Sequence, residues 1–230
     1  MPDCLIIDDE ESIAATISEY FNLFGLNCEY ATDYESGLEI AATRQPALIL
    51  LDVNLGGKSG FALCKKLRET SNVPILFISA RNTDDDVLTA LGVGGDDYIT
   101  KPFSMAVLLA KVKAMLKRNA IIPKNGANGE AGEIIRFGNV EIERGSGRVS
   151  RGGEPVKLKP LEYKLLLYLF DNRGRRVTKD ELFEKVWGDT FIGEGTLSVH
   201  VRHLREKLEN DPGNPRYIVT MWGSGYMFEA

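Results

Sequence analysis

The sequence predicts a doubly wound α/β domain on a five-stranded parallel sheet, followed by a smaller α+β domain. Three observations carry this prediction. From Asp3 to Asn119 short apolar runs alternate with segments of helical period: Leu5-Ile6-Ile7 then Ile13 to Phe24, Ala47 to Leu51 then Phe61 to Leu67, and Pro74 to Ile78 then Val87 to Leu91. Runs such as Leu48-Ile49-Leu50-Leu51 do not alternate with polar residues, as expected of strands covered by helices on both faces. Tyr98-Ile99 supplies a short fifth run, and a helix from about Met105 to Arg118 closes the unit. The second observation is the break at residues 121–133, where Pro123, Gly126, Gly129 and Gly132 interrupt any period; a flexible linker is expected. The third is a change of grammar beyond it. Residues 134–158 give four brief strand-like pieces broken at Gly138-Asn139, Gly145-Ser146-Gly147 and Gly152-Gly153, an antiparallel meander. Pro160 then starts a helix with Leu161, Leu165, Leu166 and Leu169 inward, ended at Gly174. Thr178 to Glu181 forms a capping box for a second helix with Leu182 and Val186 inward. A third helix from about Thr196 to Asn210 buries Leu197, Val201, Leu204 and Leu208. A terminal hairpin pairs Tyr217–Val219 with Tyr226–Phe228 across Gly223-Ser224-Gly225. The expected domains are therefore 1–120 and 134–230.

A chain of 230 residues accommodates two domains of this size, each with its own core. The composition, 43% hydrophobic and 27% charged, is globular rather than disordered or fibrous. No stretch reaches the roughly 20 apolar residues of a membrane helix, and the amino terminus has no basic segment before its apolar run, so a cytoplasmic protein without a membrane partner is expected. Cys4, Cys28 and Cys64 are odd in number and lack C-x-x-C spacing, which argues against a disulfide framework or a zinc site; reduced core fillers are expected. The net charge of -5 divides unevenly: residues 1–120 hold 11 basic and 17 acidic side chains, and the rest hold 17 and 16. An acidic half beside a near-neutral half with clustered arginines points to two tasks.

The polar residues of the first half fall where a parallel sheet presents chemistry. Asp8 and Asp9 end the first strand, Asp52 the third, Ser79 the fourth and Lys101 the fifth, so all converge on the carboxyl edge. Carboxylates gathered there repel by roughly 4 kcal/mol per pair at about 4 Å and an effective dielectric near 20, so a divalent cation is expected. Oxygen ligands without histidine select a hard ion, and Mg²⁺ fits better than zinc. A cation beside one carboxylate, with an ammonium and a hydroxyl, makes a receptacle for a phosphoryl group that the carboxylate attacks.

Asp8-Asp9-Glu10, Leu50-Leu51-Asp52-Val53-Asn54, Ser79-Ala80-Arg81, Gly95-Asp96-Asp97-Tyr98 and Thr100-Lys101-Pro102-Phe103 are similar to the motifs of receiver domains in two-component response regulators, which are flavodoxin-like. The resemblance implies Asp52 as phosphate acceptor and Asp9, Asp52 and the Asn54 backbone carbonyl as Mg²⁺ ligands, with Asp8 acting through water. It also implies Ser79 as the hydroxyl that meets the phosphoryl group, Lys101 as its counter-ion, Tyr98 as an aromatic switch and a cis Lys101-Pro102 bond.

On the third helix of the second half, Ser198, Arg202 and Arg205 lie opposite the apolar stripe, flanked by His200, His203 and Lys207. A helix-loop precedes this helix and a hairpin follows it, an arrangement suited to a DNA groove. A metal role for His200 and His203 lacks a third ligand of obvious spacing. Residues 134–230 resemble the winged helix-turn-helix output domain of the OmpR/PhoB subfamily. The resemblance is carried by Leu161-Glu162-Tyr163, Val186-Trp187, the run from Val199 to Leu208 and Gly223-Ser224-Gly225-Tyr226. It implies base-edge or phosphate contacts by Arg202 and Arg205, and phosphate anchoring by His200, His203 and Thr220, with Ser198 on the same face.

The resemblance implies a transcription regulator that receives a phosphoryl group from a sensor histidine kinase, forms a homodimer on activation and binds double-stranded DNA at tandem half-sites. Its loop from Gly188 to Gly195 would touch RNA polymerase. Dimerisation would use Asp96 with Arg118 and Asp97 with Lys111, while Val87 and Val107 replace a usual ion pair and would meet as an apolar contact. Two further departures stand out. Trp222 occupies the place of a wing arginine and is expected to cover the wing base rather than pack on DNA sugars. A second glycine at Gly56-Gly57 replaces a proline, so a mobile loop is expected. Two rival readings remain open: a DNA-binding regulator independent of phosphorylation, and a Mg²⁺-dependent phosphatase working through an aspartyl-phosphate. The second lacks an acid-base group, because Asn54 stands where such hydrolases place an aspartate.

Overall fold

The computed structural model describes residues 1–81, 83–120, 133–188 and 194–229. The linker expected at 121–133 lies outside the described residues except for Glu133, and so does most of the loop expected to touch RNA polymerase. The chain divides into two compact units, Met1–Leu116 and Lys117–Ala230. Among the described residues no helix is long and apolar enough to cross a membrane.

In the first unit β1 (Cys4–Ile7), β2 (Cys28–Ala31), β3 (Ile49–Asp52), β6 (Ile75–Ser79) and β7 (Asp97–Thr100) form one parallel sheet in the order β2-β1-β3-β6-β7. Successive residues of a strand point to opposite faces, and the strands obey this. Cys4, Ile6, Leu48, Leu50, Leu76 and Ile78 face one layer with Ala14, Ile17 and Phe21 of α1 (Glu11–Leu23) and Leu108, Val112 and Met115 of α5 (Met105–Ala120). Leu5, Ile7, Ile49, Leu51, Ile75 and Phe77 face the other, against α2 (Tyr34–Arg44), α3 (Gly60–Arg68) and α4 (Asp84–Gly92). The non-alternating apolar runs are thus explained by burial on both sides. Gly37 lets α2 lie close to β1, since a Cβ there would stand 2.9 Å from Ile7 side-chain atoms.

Between β3 and α3 the chain makes a small hairpin, β4 (Asn54–Leu55) with β5 (Lys58–Ser59). Its turn residues Gly56 and Gly57 have φ of 57° and 103°, which only glycine adopts readily. The two glycines build a tight turn. The Lys101-Pro102 bond is cis.

The second unit begins with an antiparallel four-stranded sheet, β11-β10-β9-β8, comprising β8 (Ile134–Phe137), β9 (Val140–Glu143), β10 (Arg148–Arg151) and β11 (Glu154–Pro155). Next comes α6 (Pro160–Asp171), with Pro160 in its first turn where a missing N–H costs nothing. The Thr178 hydroxyl accepts from the Glu181 N–H and starts α7 (Lys179–Leu182), which continues as a turn of π-helix over Phe183–Trp187. Then follow α8 (Glu194–Leu208) and the hairpin β13 (Ile218–Met221) with β14 (Gly225–Phe228). A strand unread in the sequence, β12 (Arg176–Thr178), joins that hairpin as its third member by pairing with β14. Gly225 is required there, because a Cβ would fall 2.1 Å from the Val177 carbonyl oxygen.

Candidate phosphoacceptor site and DNA-binding helix

The strand order explains the first site. β1 and β3 are neighbours at the centre of the sheet, so Asp8 and Asp52, at their carboxyl ends, sit side by side. Both are almost fully buried, at 1% and 6% exposure, whereas Asp9 is exposed. Carboxylate oxygens of Asp8, Asp9 and Asp52 lie within 4.8 Å of one another. Lys101 follows β7, two strands from β3, and its long side chain crosses that width. Its ammonium donates to Asp8 Oδ2 and Asp52 Oδ2 at 2.8 Å each, with Glu10 Oε1 at 3.7 Å. Burial opposes this charge, but the bonds to Asp52 and Asp8 prevail and raise its pKa. Burial, with the charge of Asp8, lifts the Asp52 carboxyl above its usual range despite Lys101. Backbone groups hold the other oxygens: Asp8 Oδ1 accepts from the Glu10 N–H (3.0 Å), Asp52 Oδ1 from Asn54 (3.2 Å) and Asp9 Oδ2 from Gly56 (2.9 Å). The glycine turn therefore orients Asp9, a role the sequence did not disclose.

Ser79, at the end of β6, is buried and its Oγ accepts from the Arg81 N–H at 3.1 Å. The Tyr98 ring already lies inward among the apolar residues beneath α4, and its hydroxyl donates to the Arg81 carbonyl at 2.8 Å. Burial raises its pKa. The edge therefore presents two buried carboxylates, Asp8 and Asp52, with the exposed carboxylate of Asp9, an ammonium and a hydroxyl. That set can hold a hard cation and receive a transferred phosphoryl group.

The residues expected at a dimer face have mixed placements. Asp97 Oδ2 pairs with the Lys111 ammonium at 2.7 Å within the same chain. Val107 is 53% exposed, and Val87 is half-buried against the core. Asp96 needs correction. It is buried, accepts from the Arg68 guanidinium (2.8 Å) and the Ile75 N–H (2.9 Å), and is thereby occupied in clamping α3 to β6; the side chain of Arg118 lies outside the described residues.

In the second unit α8 buries Leu197, Val201, Leu204 and Leu208 as expected, while Ser198 and Arg202 are exposed on the opposite side. Arg202 pairs loosely with Glu206 at 3.4 Å. Arg205 is turned to the hairpin: its guanidinium donates to the Ile218 carbonyl (2.9 and 2.6 Å) and to the Thr220 hydroxyl (2.8 Å). His200 and His203 are corrected as phosphate anchors. His200 is fully buried against the Trp187 ring, 5.6 Å between centroids, and no phosphate can reach it there. His203 faces inward, its Nδ1 3.7 Å from Oε1 of Glu162. Glu162, fully buried on α6, also accepts from the Lys207 ammonium at 2.5 Å and from the Lys159 N–H at 2.8 Å. Trp222 does not cover the wing base: it is 91% exposed beside Gly223. Sequence reasoning also missed Glu209, whose buried carboxylate accepts from the N–H groups of Arg216, Tyr217 and Ile218 and ties the end of α8 to β13. An acidic residue near a helix end gives no signal of such a role.

Residues 4–113 match the family described as "Response regulator receiver domain", and residues 153–228 match "Transcriptional regulatory protein, C terminal". The sensory transduction protein RegX3 of Mycolicibacterium smegmatis is 38% identical over 231 residues, covering 100% of both chains. The chain is a response regulator of the OmpR/PhoB type. The KDP operon transcriptional regulatory protein KdpE of Escherichia coli is 34% identical over 229 residues, 99% of each chain. Among solved structures, the response regulator DrrB, a Thermotoga maritima OmpR/PhoB homologue, covers 100% of both chains at 30% identity with a TM-score of 0.52. This response regulator is accordingly a phosphorylation-regulated, DNA-binding transcription regulator, with a kinase and DNA as partners.

Two measurements follow from this geometry. A Cβ at Gly60 would meet the Asp52 carbonyl oxygen at 1.9 Å, so Gly60→Ala displaces the end of β3 that carries Asp52. Labelling by acetyl phosphate is expected to fall at least tenfold in a protein that still folds by circular dichroism; unchanged labelling refutes the constraint. Burial pushes the His203 pKa down to about 4, against partial support from Glu162, with Lys159, His200 and Arg202 adding to the depression. Between about pH 6.5 and 4 the unfolded chain binds the extra proton, so stability is present above this window and is lost as pH falls through it, by roughly 3 kcal/mol in full. His203→Gln is expected to flatten that slope in urea melts followed by Trp187 emission; an unaltered slope assigns the loss elsewhere.

Proposed function

We propose that a sensor histidine kinase donates a phosphoryl group to Asp52, and that the product is a homodimer bound to tandem half-sites on double-stranded DNA. The observation that supports this best is the Lys101 ammonium bridging Asp8 and Asp52 at 2.8 Å each, beside an exposed Asp9. The all-oxygen donor set fits Mg²⁺, held by Asp9, Asp52 and the Asn54 carbonyl, with Asp8 acting through water. When bound, that ion offsets negative charge on the phosphoryl oxygens. The chain's own groups do the rest. An Asp52 carboxylate oxygen attacks phosphorus as the phosphorus–nitrogen bond to the kinase histidine breaks; the departing nitrogen keeps that electron pair, and the imidazole leaves neutral with the proton on its other nitrogen. Lys101 becomes counter-ion to the new group, which carries roughly -1.5 to -2 charges. Ser79 Oγ turns from the Arg81 N–H to donate to a phosphoryl oxygen, and the Tyr98 hydroxyl follows the Arg81 carbonyl. The reaction is self-modification at one site per chain rather than turnover.

Rearrangement beneath α4 alters the surface carrying Val87 and Val107, beneath which Asp97 and Lys111 are buried as a pair within the chain, and this is the face we assign to the dimer. On DNA, Arg202 and Ser198 are exposed on α8 and suit base-edge or phosphate contacts, whereas Arg205 and Thr220 set the hairpin beside it. Pairing two such domains raises apparent affinity through effective concentration. RNA polymerase is the further partner expected of a cytoplasmic regulator of this type.

Acetyl phosphate with Mg²⁺ is expected to add one phosphoryl group to the chain, and both Asp52→Asn and removal of the ion by chelator are expected to abolish it. Genomic fragments selected by the phosphorylated protein are expected to carry tandem repeats about one helical turn apart. Arg202→Ala is expected to lose about 1–3 kcal/mol of discrimination at one base pair of each repeat. Repeated release of phosphate from a generic phosphomonoester, or full selection by Asp52→Asn, contradicts the reading. Val107→Lys is expected to weaken dimerisation of the beryllofluoride-activated protein in sedimentation; an unchanged dissociation constant removes Val107 from the interface.

A further inference from the structure

The sheet brings together one pair of reactive side chains that has no part in phosphoryl chemistry. Cys4 opens β1 and Cys28 opens β2, and the parallel register sets them directly opposite one another. Register partners on neighbouring strands point to the same face, and both sulfurs lie in the apolar layer beneath α1 and α5. Cys64 belongs to the layer on the other face of the sheet and cannot compete for either. Partners on adjacent strands stand about 4.8 Å apart, inside the roughly 4.4–6.8 Å between Cα atoms that a disulfide spans. Helix α1 fixes the edge strand at this height. The Cys28 N–H donates to Asn22 Oδ1 at 2.9 Å, and the Cys28 carbonyl accepts from Ser18 Oγ at 3.2 Å.

The two positions also differ in a useful way. β2 is an edge strand, and Cys28 is 8% exposed where Cys4 is wholly enclosed. A hydrogen bond with Cys4 holds the Cys28 thiol below its usual pKa, while burial pushes Cys4 up. Both are free thiols in the structure. One sulfur is therefore suited to meet an oxidant and the other to resolve the product.

We propose that Cys4 and Cys28 form a reversible oxidation site, at which a peroxide converts the pair into a disulfide joining β1 to β2. The Cys28 thiolate attacks one peroxide oxygen, the O–O bond breaks, and the departing hydroxide takes up the thiol proton as water, leaving a sulfenic acid on Cys28. The Cys4 sulfur then attacks the Cys28 sulfur; the S–S bond forms, the S–O bond breaks, and hydroxide leaves with the Cys4 proton as a second water. Two electrons pass from the thiols to the peroxide. The bond closes a loop containing all of α1 and anchors β1, whose far end carries Asp8 and Asp9. Intracellular disulfides of this kind are characteristically transient and redox-responsive.

The test treats the full chain with a stoichiometric amount of hydrogen peroxide, caps remaining thiols by alkylation and maps the peptides by mass spectrometry. Cys4 and Cys28 are expected in one linked pair, released by dithiothreitol, with Cys64 alkylated. The thermal midpoint of the first unit is expected to rise by roughly 10 °C on oxidation. Cys28→Ala, checked for folding by circular dichroism, is expected to lose both the linked pair and the rise. Recovery of Cys4 and Cys28 as alkylated thiols, oxidation of Cys28 to sulfinic acid without a link, or a link through Cys64 or between chains overturns the proposal.

Discussion

An ammonium ion held between two buried carboxylates is the constraint on which the amino-terminal unit is organised. Asp8 and Asp52 are both buried, and desolvating carboxylates with no cation beside them costs several kcal/mol each. Lys101 meets that requirement from two strands away, which demands that β1, β3, β6 and β7 lie side by side in this order. The double winding of the sheet can thus be understood as the means of placing three strand ends and one long side chain at a single point. The residues next in line, Ser79 and Tyr98, share Arg81 as a common neighbour.

The carboxyl-terminal unit obeys a similar rule with the signs rearranged. Among the described residues its buried acids are Glu162 and Glu209. The first gathers an ammonium, a backbone N–H and the edge of an imidazole between α6 and α8; the second gathers three N–H groups where α8 gives way to β13. A buried pair of this kind is weak evidence for stability but strong evidence for position, since removing either partner strands a charge.

Much of this was legible in the sequence, for reasons that differ between elements. The strands of the parallel sheet announced themselves because burial on both faces demands uninterrupted apolar runs. Asp8, Asp9, Asp52, Ser79 and Lys101 could be grouped because each follows such a run directly. β2 and α2 gave no comparable signal: an edge strand with Glu29 and Tyr30 at its centre is only half covered, and α2 buries just Gly37. The histidines misled because a helical wheel places them beside arginines, and only the packing of Trp187 and Glu162 shows that their side of α8 is enclosed. Trp222 misled in the opposite sense, since large aromatic side chains are ordinarily covered. Asp96 was assigned to Arg118 of a second chain by family resemblance alone, whereas Arg68 lies 28 residues away and is near only in space.

The bonds from the Arg205 guanidinium to Ile218 and Thr220, together with the Glu209 carboxylate, leave α8 and the terminal hairpin little independent freedom. If α8 and the hairpin form the DNA-contacting face proposed above, a duplex meets one stiff body whose shape exists before docking, and association forfeits less conformational entropy than it would with a loose arm. The same stiffness has a reverse effect. On that reading, a distortion of the groove that tilted the hairpin would be transmitted as a tilt of α8, and a site of the right bases but the wrong curvature would be discriminated against by residues that touch none of its bases.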